Sequence, residues 1–378
     1  MAVYLDCNAT TPVEPEVLEV MVRYLADEYG NAGSRTHEFG VRAKQAIERA
    51  REQVAAVVAA QPDEVVFTSG ATESNNIALL GLSASAEGTN GAARRHIVST
   101  AIEHKAVLEP LERLAAQGFE VSLIHPDQSG RVDSQAVLAA VRPDTLLVSV
   151  MHANNETGIV QPIETIAAGL PETVYFHVDA AQTFGKLIAP LQNPRIDLIS
   201  VSAHKIFGPK GIGALISRRR HGKRAPLSPL MLGGGQERGL RPGTQPVHLI
   251  AGLGVAAQLS LRDHAQRQAT CLRFRDGVLT AMAQLGGEAN GDQEHCLPHV
   301  LNVSLPGLNS EAAMVALKGI LALSNGSACT STSYEPSHVL VAMALEQDRI
   351  ESALRLSWCH LTPAVDWPQV CVALRRMM

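Results

Sequence analysis

The sequence predicts an α/β protein, with a mainly parallel seven-stranded sheet in a large domain (14–260) and a smaller α+β domain built from 1–13 and 261–378. Two observations predict it. Up to about residue 260, short apolar runs of strand character alternate with longer helical segments, the pattern of a sheet covered by helices on both faces. Beyond residue 261 the texture changes to a long helix, a strand and a helix-rich tail. The composition, 46% hydrophobic with only 4% aromatic residues, supplies a core of Ala, Val, Leu and Ile.

The elements follow in order. Residues 41–60 are Ala-rich with charges at helical spacing and read as a helix. The run 64–68 enters a second helix through Ser69-Gly-Ala-Thr72, where small residues let backbone N–H groups approach an anion at a helix N-terminus. Such a turn is also a common structural joint. The runs 96–99, 120–124 and 145–150 are short and apolar. Run 174–178 ends on a carboxylate, Asp179. Run 197–201 breaks into small residues and presents His204 and Lys205 just before a Gly/Pro-rich turn, and 212–217 completes the sheet. Residues 256–284 read as one long helix and 299–305 as a strand, followed by a helix, a Gly/Ser loop and the tail that carries Arg355.

A formal charge of −5 gives no general attraction to nucleic acid or to an anionic membrane. No apolar run is long enough to span a bilayer, and the first residues lack the basic and apolar regions of a secretory signal, so a cytoplasmic protein is expected. Six cysteines (7, 271, 296, 329, 359 and 371) are scattered without zinc-like spacing. The dense basic run Arg218-Arg-Arg-His-Gly-Lys-Arg224 reads as a solvated loop or a docking patch for an acidic partner.

Three residues carry the chemistry. A lysine that forms a Schiff base needs burial and neighbours that lower its pKa, and Lys205 has such a setting. Asp179, 26 residues earlier, suits the pyridinium nitrogen of pyridoxal phosphate (PLP). Alone, each has a structural reading as a strand end or a helix cap; together they point to a PLP site. Ser202 and His204 can offer donors to the cofactor phosphate, and His104 could stack on its ring. Cys329 sits among Gly326, Ser327, Ala328, Thr330 and Ser331, a composition that predicts a mobile loop and a reactive thiol in place of a packed core cysteine.

Ordered motifs then carry a resemblance. They include Tyr4-Leu-Asp-Cys-Asn-Ala-Thr-Thr-Pro12, Gly30-Asn-Ala-Gly-Ser-Arg-Thr-His37, Thr68-Ser-Gly-Ala-Thr-Glu-Ser-Asn75 and Glu103-His-Lys105. Met151-His-Ala-Asn-Asn-Glu-Thr-Gly158, His177-Val-Asp-Ala-Ala-Gln182, Gly233–Thr244 and Ser324-Asn-Gly-Ser-Ala-Cys-Thr-Ser331 follow. The chain resembles PLP-dependent cysteine desulfurases of the NifS/IscS type, with the class V aminotransferase-like fold. The resemblance implies that Lys205 holds PLP, Asp179 keeps the ring nitrogen protonated, Gln182 bonds the phenolic oxygen and His104 stacks and moves protons. It implies that Ala71, Thr72, Ser202 and His204 hold the phosphate, with Thr244 reaching that of a second subunit in a homodimer. Asn154 would lie beside the cofactor, and Arg355, assisted by Asn31, would clamp the carboxylate of L-cysteine. Cys329 would take the sulfur as a persulfide, release L-alanine, and pass the sulfur to an acceptor protein, with no direct contact to nucleic acid. The opening motifs also resemble the DndA-like desulfurases of DNA phosphorothioation, while iron–sulfur cluster assembly is the other destination. An aminotransferase, a selenocysteine lyase or a catalytically idle assembly platform are the alternatives. Cys7 is open to two readings, structural or reactive.

Overall fold

A computed structural model describes residues 2–84, 94–325 and 336–377; Cys329 and the rest of its motif from Gly326 on lie outside the described residues. Seven strands form the main sheet in the order Val65–Thr68, Gly213–Ser217, Leu198–Ser202, Tyr175–Asp179, Thr145–Met151, His96–Thr100 and Glu120–Ile124. Gly213–Ser217 alone runs antiparallel to its neighbours. It also crowds them. A Cβ on Gly213 would lie 2.2 Å from the Val201 carbonyl oxygen and 2.6 Å from Gly70 Cα, so only glycine allows the two turns to meet.

Side-chain alternation explains why the sheet is buried on both faces. Phe67, Val148, Ile199 and Ala214 point to one core, shared with the helices Glu38–Val57 and Val247–Arg262. Val66, Leu147, Leu198 and Leu215 point to the other, shared with Lys105–Ala116. A third core joins Leu5 to Val278, Leu301, Leu354, Leu356 and Trp358 around a three-stranded antiparallel sheet, Glu288–Ala289, Val300–Ser304 and Ala353–Ser357. The N-terminal strand Val3–Tyr4 pairs with Leu321–Ala322 on that side.

Three expectations are corrected. The helix expected over 256–284 is two helices, Val247–Arg262 and His264–Ala283, broken at Asp263 (φ −106°, ψ 9°). The break lets the first helix stay on the main core while Cys271, Val278 and Met282 of the second reach the smaller one. Arg355, expected in a helix-rich tail, lies on the strand Ala353–Ser357, whose Leu354 and Leu356 alternate into the core. The basic run is a hairpin, Arg219–Arg220 with Lys223–Arg224, and its charges are largely spent within the molecule. Arg224 pairs with Asp63 at 2.7 Å, Arg219 with the same carboxylate, and Arg220 with Asp197 at 3.4 Å.

Candidate active site

Ligands of open α/β sheets bind outside the carboxyl ends of the parallel strands. Here Thr68, Thr100, Met151, Asp179 and Ser202 end five such strands. The loops that follow them open into a cavity of about 920 Å³. Ala71, Thr72, His104, Asp179, Gln182, Ser202, His204, Lys205 and Arg355 all line it. These residues come from five separate stretches of sequence, four of which converge because strands of the main sheet release them at one edge.

Asp179 is nearly buried, and both its oxygens are held. Asn75 Nδ2 donates to Oδ2 at 2.7 Å and the Ala181 N–H donates to Oδ1 at 2.9 Å. Lys205 Nζ donates to the carbonyl oxygens of Asn8 and Ala9, the latter at 2.9 Å. Gln182 Nε2 donates to the same Asn8 carbonyl at 3.0 Å. The segment 8–11 is thus a shelf beneath the lysine, itself tied down where Thr11 N–H donates to the His204 carbonyl at 3.0 Å. Neither Asn8 nor Asn75 was assigned a role from sequence, although both stand inside quoted motifs. Their signal was position beside Cys7 and within Glu73-Ser-Asn-Asn76, but nothing in spacing says which backbone or carboxylate they meet.

His104 caps the helix Lys105–Ala116, its Nδ1 accepting from the Ala106 N–H at 3.0 Å. The ring proton therefore belongs on Nε2 in the neutral form. Burial lowers the His104 pKa, offset in part by Asp179 and reinforced by Lys205, so the ring is neutral at neutral pH. His204, with Nδ1 3.2 Å from Thr10 Oγ1, is pushed down to about 4 by burial and by Lys205.

Arg355 lines the cavity with one nitrogen committed to Asp6 Oδ1 at 2.6 Å and another to the Asn155 carbonyl at 3.2 Å. The Arg355–Asp6 contact is an ion pair whose guanidinium is buried and stands on a strand. Asn154 is not among the lining residues. Its Nδ2 donates to the Ile102 carbonyl at 2.9 Å and its Oδ1 accepts from Glu156 and Thr157 N–H, so it shapes the loop behind the cavity. Asn31 and Thr244 are exposed and outside the lining.

The residues fit PLP. A fixed carboxylate suits a protonated ring nitrogen, and an amine stands across the same cavity. Hydroxyls of Thr72 and Ser202 with the small Ser69-Gly-Ala71 turn suit a phosphate. Gln182 Oε1, Asn8 Oδ1 and Asn75 Oδ1 are buried acceptors without a partner among the described residues, the mark of a polar site awaiting donors. The family model for aminotransferase class V matches residues 3–366. The chain belongs to the class V aminotransferase family. Cysteine desulfurase IscS of Anaeromyxobacter dehalogenans is 48% identical over 93% of this chain and 86% of its own. The structure of DndA from Streptomyces lividans is 52% identical, covers 94% of this chain and 98% of its own, and superposes with a TM-score of 0.83. A NifS-like protein, 36% identical over 100% of this chain and 98% of its own, reaches 0.89. Family members of this kind are PLP-dependent, and the fold expectation is borne out.

Glu103, next to His104, is fully buried. Its Oε1 accepts from Thr100 Oγ1 at 2.7 Å and from Met151 N–H at 2.8 Å, while Oε2 has no partner among the described residues. Burial, with a smaller push from Asp179, raises its pKa to about 8. The folded state keeps this proton where an unfolded chain, with an ordinary carboxyl near 4.5, has lost it. Stability is therefore whole below pH 4.5 and declines as pH rises toward 8, by about 3 kcal/mol at pH 7. Glu103→Gln keeps the accepting oxygen and removes the ionisation. Urea unfolding should show the variant gaining on the native chain between pH 5 and 8; parallel pH profiles would refute a protonated Glu103.

Proposed function

We propose that Lys205, Asp179 and His104 form the reaction centre of a PLP-dependent cysteine desulfurase, with Cys329 as its sulfur carrier. The observation that carries this reading is the sharing of one cavity by Lys205, a doubly anchored Asp179, a neutral His104 and Arg355. Cysteine desulfurase function itself is what the relatives at 45–48% identity over most of the chain support.

Bound here, PLP supplies the electron sink that lets negative charge leave the substrate Cα. Asp179, oriented by Asn75 and Ala181, holds the proton on the ring nitrogen and so keeps that sink deep. Lys205 Nζ would anchor the cofactor and, when not so engaged, would hold or move a proton beside the substrate Cα. His104 Nε2–H donates into the cavity beside it. Gln182 has a second Nε2 hydrogen for the phenolic oxygen, and Thr72, Ser202 and His204 orient the phosphate. Arg355 binds the substrate carboxylate, in exchange with or beside Asp6. The Cys329 thiolate would attack the substrate sulfur as the Cβ–S bond breaks, leaving the sulfur on Cys329 as a persulfide, and Cβ would take up a proton on the way to L-alanine.

The chain works as a homodimer in this reading. Two residues before Asn31, the exposed ring of Tyr29 lies 5.7 Å from that of exposed Phe39, and Leu18, Val22, Leu25 and Leu232 are exposed too. A partner covering them would bring Thr244 and Asn31 to a neighbouring cavity. Residues 14–260 and 1–13 with 261–378 form two units, supported by the separate cores described above. The acceptor is a protein: the net charge of −5 favours no nucleic acid. The 52% identity to DndA supports the phosphorothioation branch, and the IscS relatives support iron–sulfur assembly as a second destination. No helix among the described residues is long and apolar enough to cross a membrane. The five described cysteines are free thiols, which supports a cytoplasmic setting.

Purified protein given PLP, cysteine and a thiol reductant should form alanine and sulfide in equal amounts with no keto acid present. Amino transfer that requires a keto acid, without sulfide, would favour an aminotransferase.

A further inference from the structure

Behind the shelf that carries Lys205 lies a second group of thiols. Cys7 and Cys359 are both buried and cluster with Phe207. The strand pairing brings them together: Cys7 N–H donates to the Ser357 carbonyl at 3.0 Å, and Asp6 bridges to Ser357. They line a cavity of about 50 Å³, large enough for a few water-sized molecules. Lys186, Arg267, His299 and His360 face the same space, with Lys186 Nζ 3.2 Å from His299 Nε2 and Arg267 paired to Glu14 at 2.9 Å. Of these, Lys186 and Arg267 can carry positive charge and no carboxylate lines the space, while burial holds His299 and His360 neutral, the latter bonded to Glu14 at 2.7 Å. Such surroundings favour a thiolate. Cys359 accepts from Thr362 Oγ1 at 3.6 Å. Its pKa is held down to about 6, first by the Cys7 thiol and then by Thr362 and Lys186, whereas Cys7 is pushed up by the same contact and by burial.

We propose that Cys7 and Cys359 are a second reactive thiol pair, oxidised by a small peroxide to an internal disulfide that shifts the shelf beneath Lys205. The thiolate of Cys359 attacks one peroxide oxygen, the O–O bond breaks, and the other oxygen leaves with a proton as water. The Cys7 thiol then attacks the sulfur of the resulting sulfenic acid; the S–S bond forms and the hydroxyl leaves with the Cys7 proton as a second water. Two thiols are oxidised and one peroxide is reduced. The coupling is short. Cys7 adjoins Asn8, whose carbonyl receives both Lys205 Nζ and Gln182 Nε2, and Phe207 N–H donates to Thr11 Oγ1 at 2.9 Å on the same segment. Drawing Cys7 toward Cys359 moves that carbonyl.

The test is non-reducing peptide mapping of the holoenzyme after hydrogen peroxide, independent of which reaction the site performs. Tryptic segments 1–23 and 356–375 should appear linked, and fragmentation must place the bridge on Cys359, since Cys371 shares that segment. Dithiothreitol should separate them. Cysteine turnover should fall about tenfold in the native chain, reversibly, and by distinctly less in Cys7→Ser, the remainder reflecting Cys329. Cys359→Ser serves as the second control should Cys7→Ser fold poorly. No linked segments, or a bridge at Cys371 or Cys271, overturns the pair. A bridge that leaves turnover equal in native and variant chains overturns its coupling to Lys205.

Discussion

Lys205→Ala will purify without the visible absorption of a covalently held cofactor and will turn cysteine over by about 10³-fold or more below the native rate. The amine is placed by two independent constraints. It follows Ser202 at the end of a central strand, and Nζ rests on the carbonyls of Asn8 and Ala9. Lys105 and Lys210 also line the cavity, but among the described residues no hydrogen bond ties either of them to that shelf. Adding a small primary amine should restore a fraction of the rate in the variant, because the anchoring and proton-moving atom is what has been deleted. A native absorption band in Lys205→Ala would remove this lysine from the site.

Cys329→Ala is expected to separate cofactor chemistry from sulfur release. The cavity groups proposed to hold PLP all come from other segments, so the variant should bind cofactor normally and show a spectral change on adding cysteine. Sulfide production should nevertheless fall by about 10²-fold or more, since the group that accepts the substrate sulfur is absent. Single-turnover alanine formation, read with and without reductant, checks this. Undiminished sulfide release would assign the sulfur to another thiol, and Cys359 would then be the first to examine.

Much of this site was legible because its parts lie at strand ends. Each of the seven strand positions expected from short apolar runs is found within a residue or two; six are almost wholly buried, where a strand has little choice but continuous Val, Ile and Leu, and the edge strand Glu120–Ile124 is partly exposed. Lys205, Asp179, His104 and Arg355 reach one cavity as the motifs imply. What was not legible depends on tertiary contact. The strand Ala353–Ser357 hides in a tail of short helices; only the Leu354–Leu356 alternation marks it. Asn154 carries a motif position but spends its amide on the Ile102 carbonyl and the Glu156 and Thr157 N–H groups, a distribution no spacing reveals. Asn75 was invisible for the converse reason: its partner, Asp179, is 104 residues away.

The ties between residues 6–8 and 355–357 set an order of assembly. Asp6 meets Arg355, Cys7 and Asn8 meet Ser357, and these partners are separated by about 350 residues. During synthesis the ribosome releases the lysine strand long before Ser357 emerges. Residues 6 and 7 must therefore wait for the last strand, although residues 8–14 can already pair with Gln182 and with 204–207. The footing of Lys205 is thus laid in two stages, and its far edge locks only when the carboxyl-terminal strand arrives.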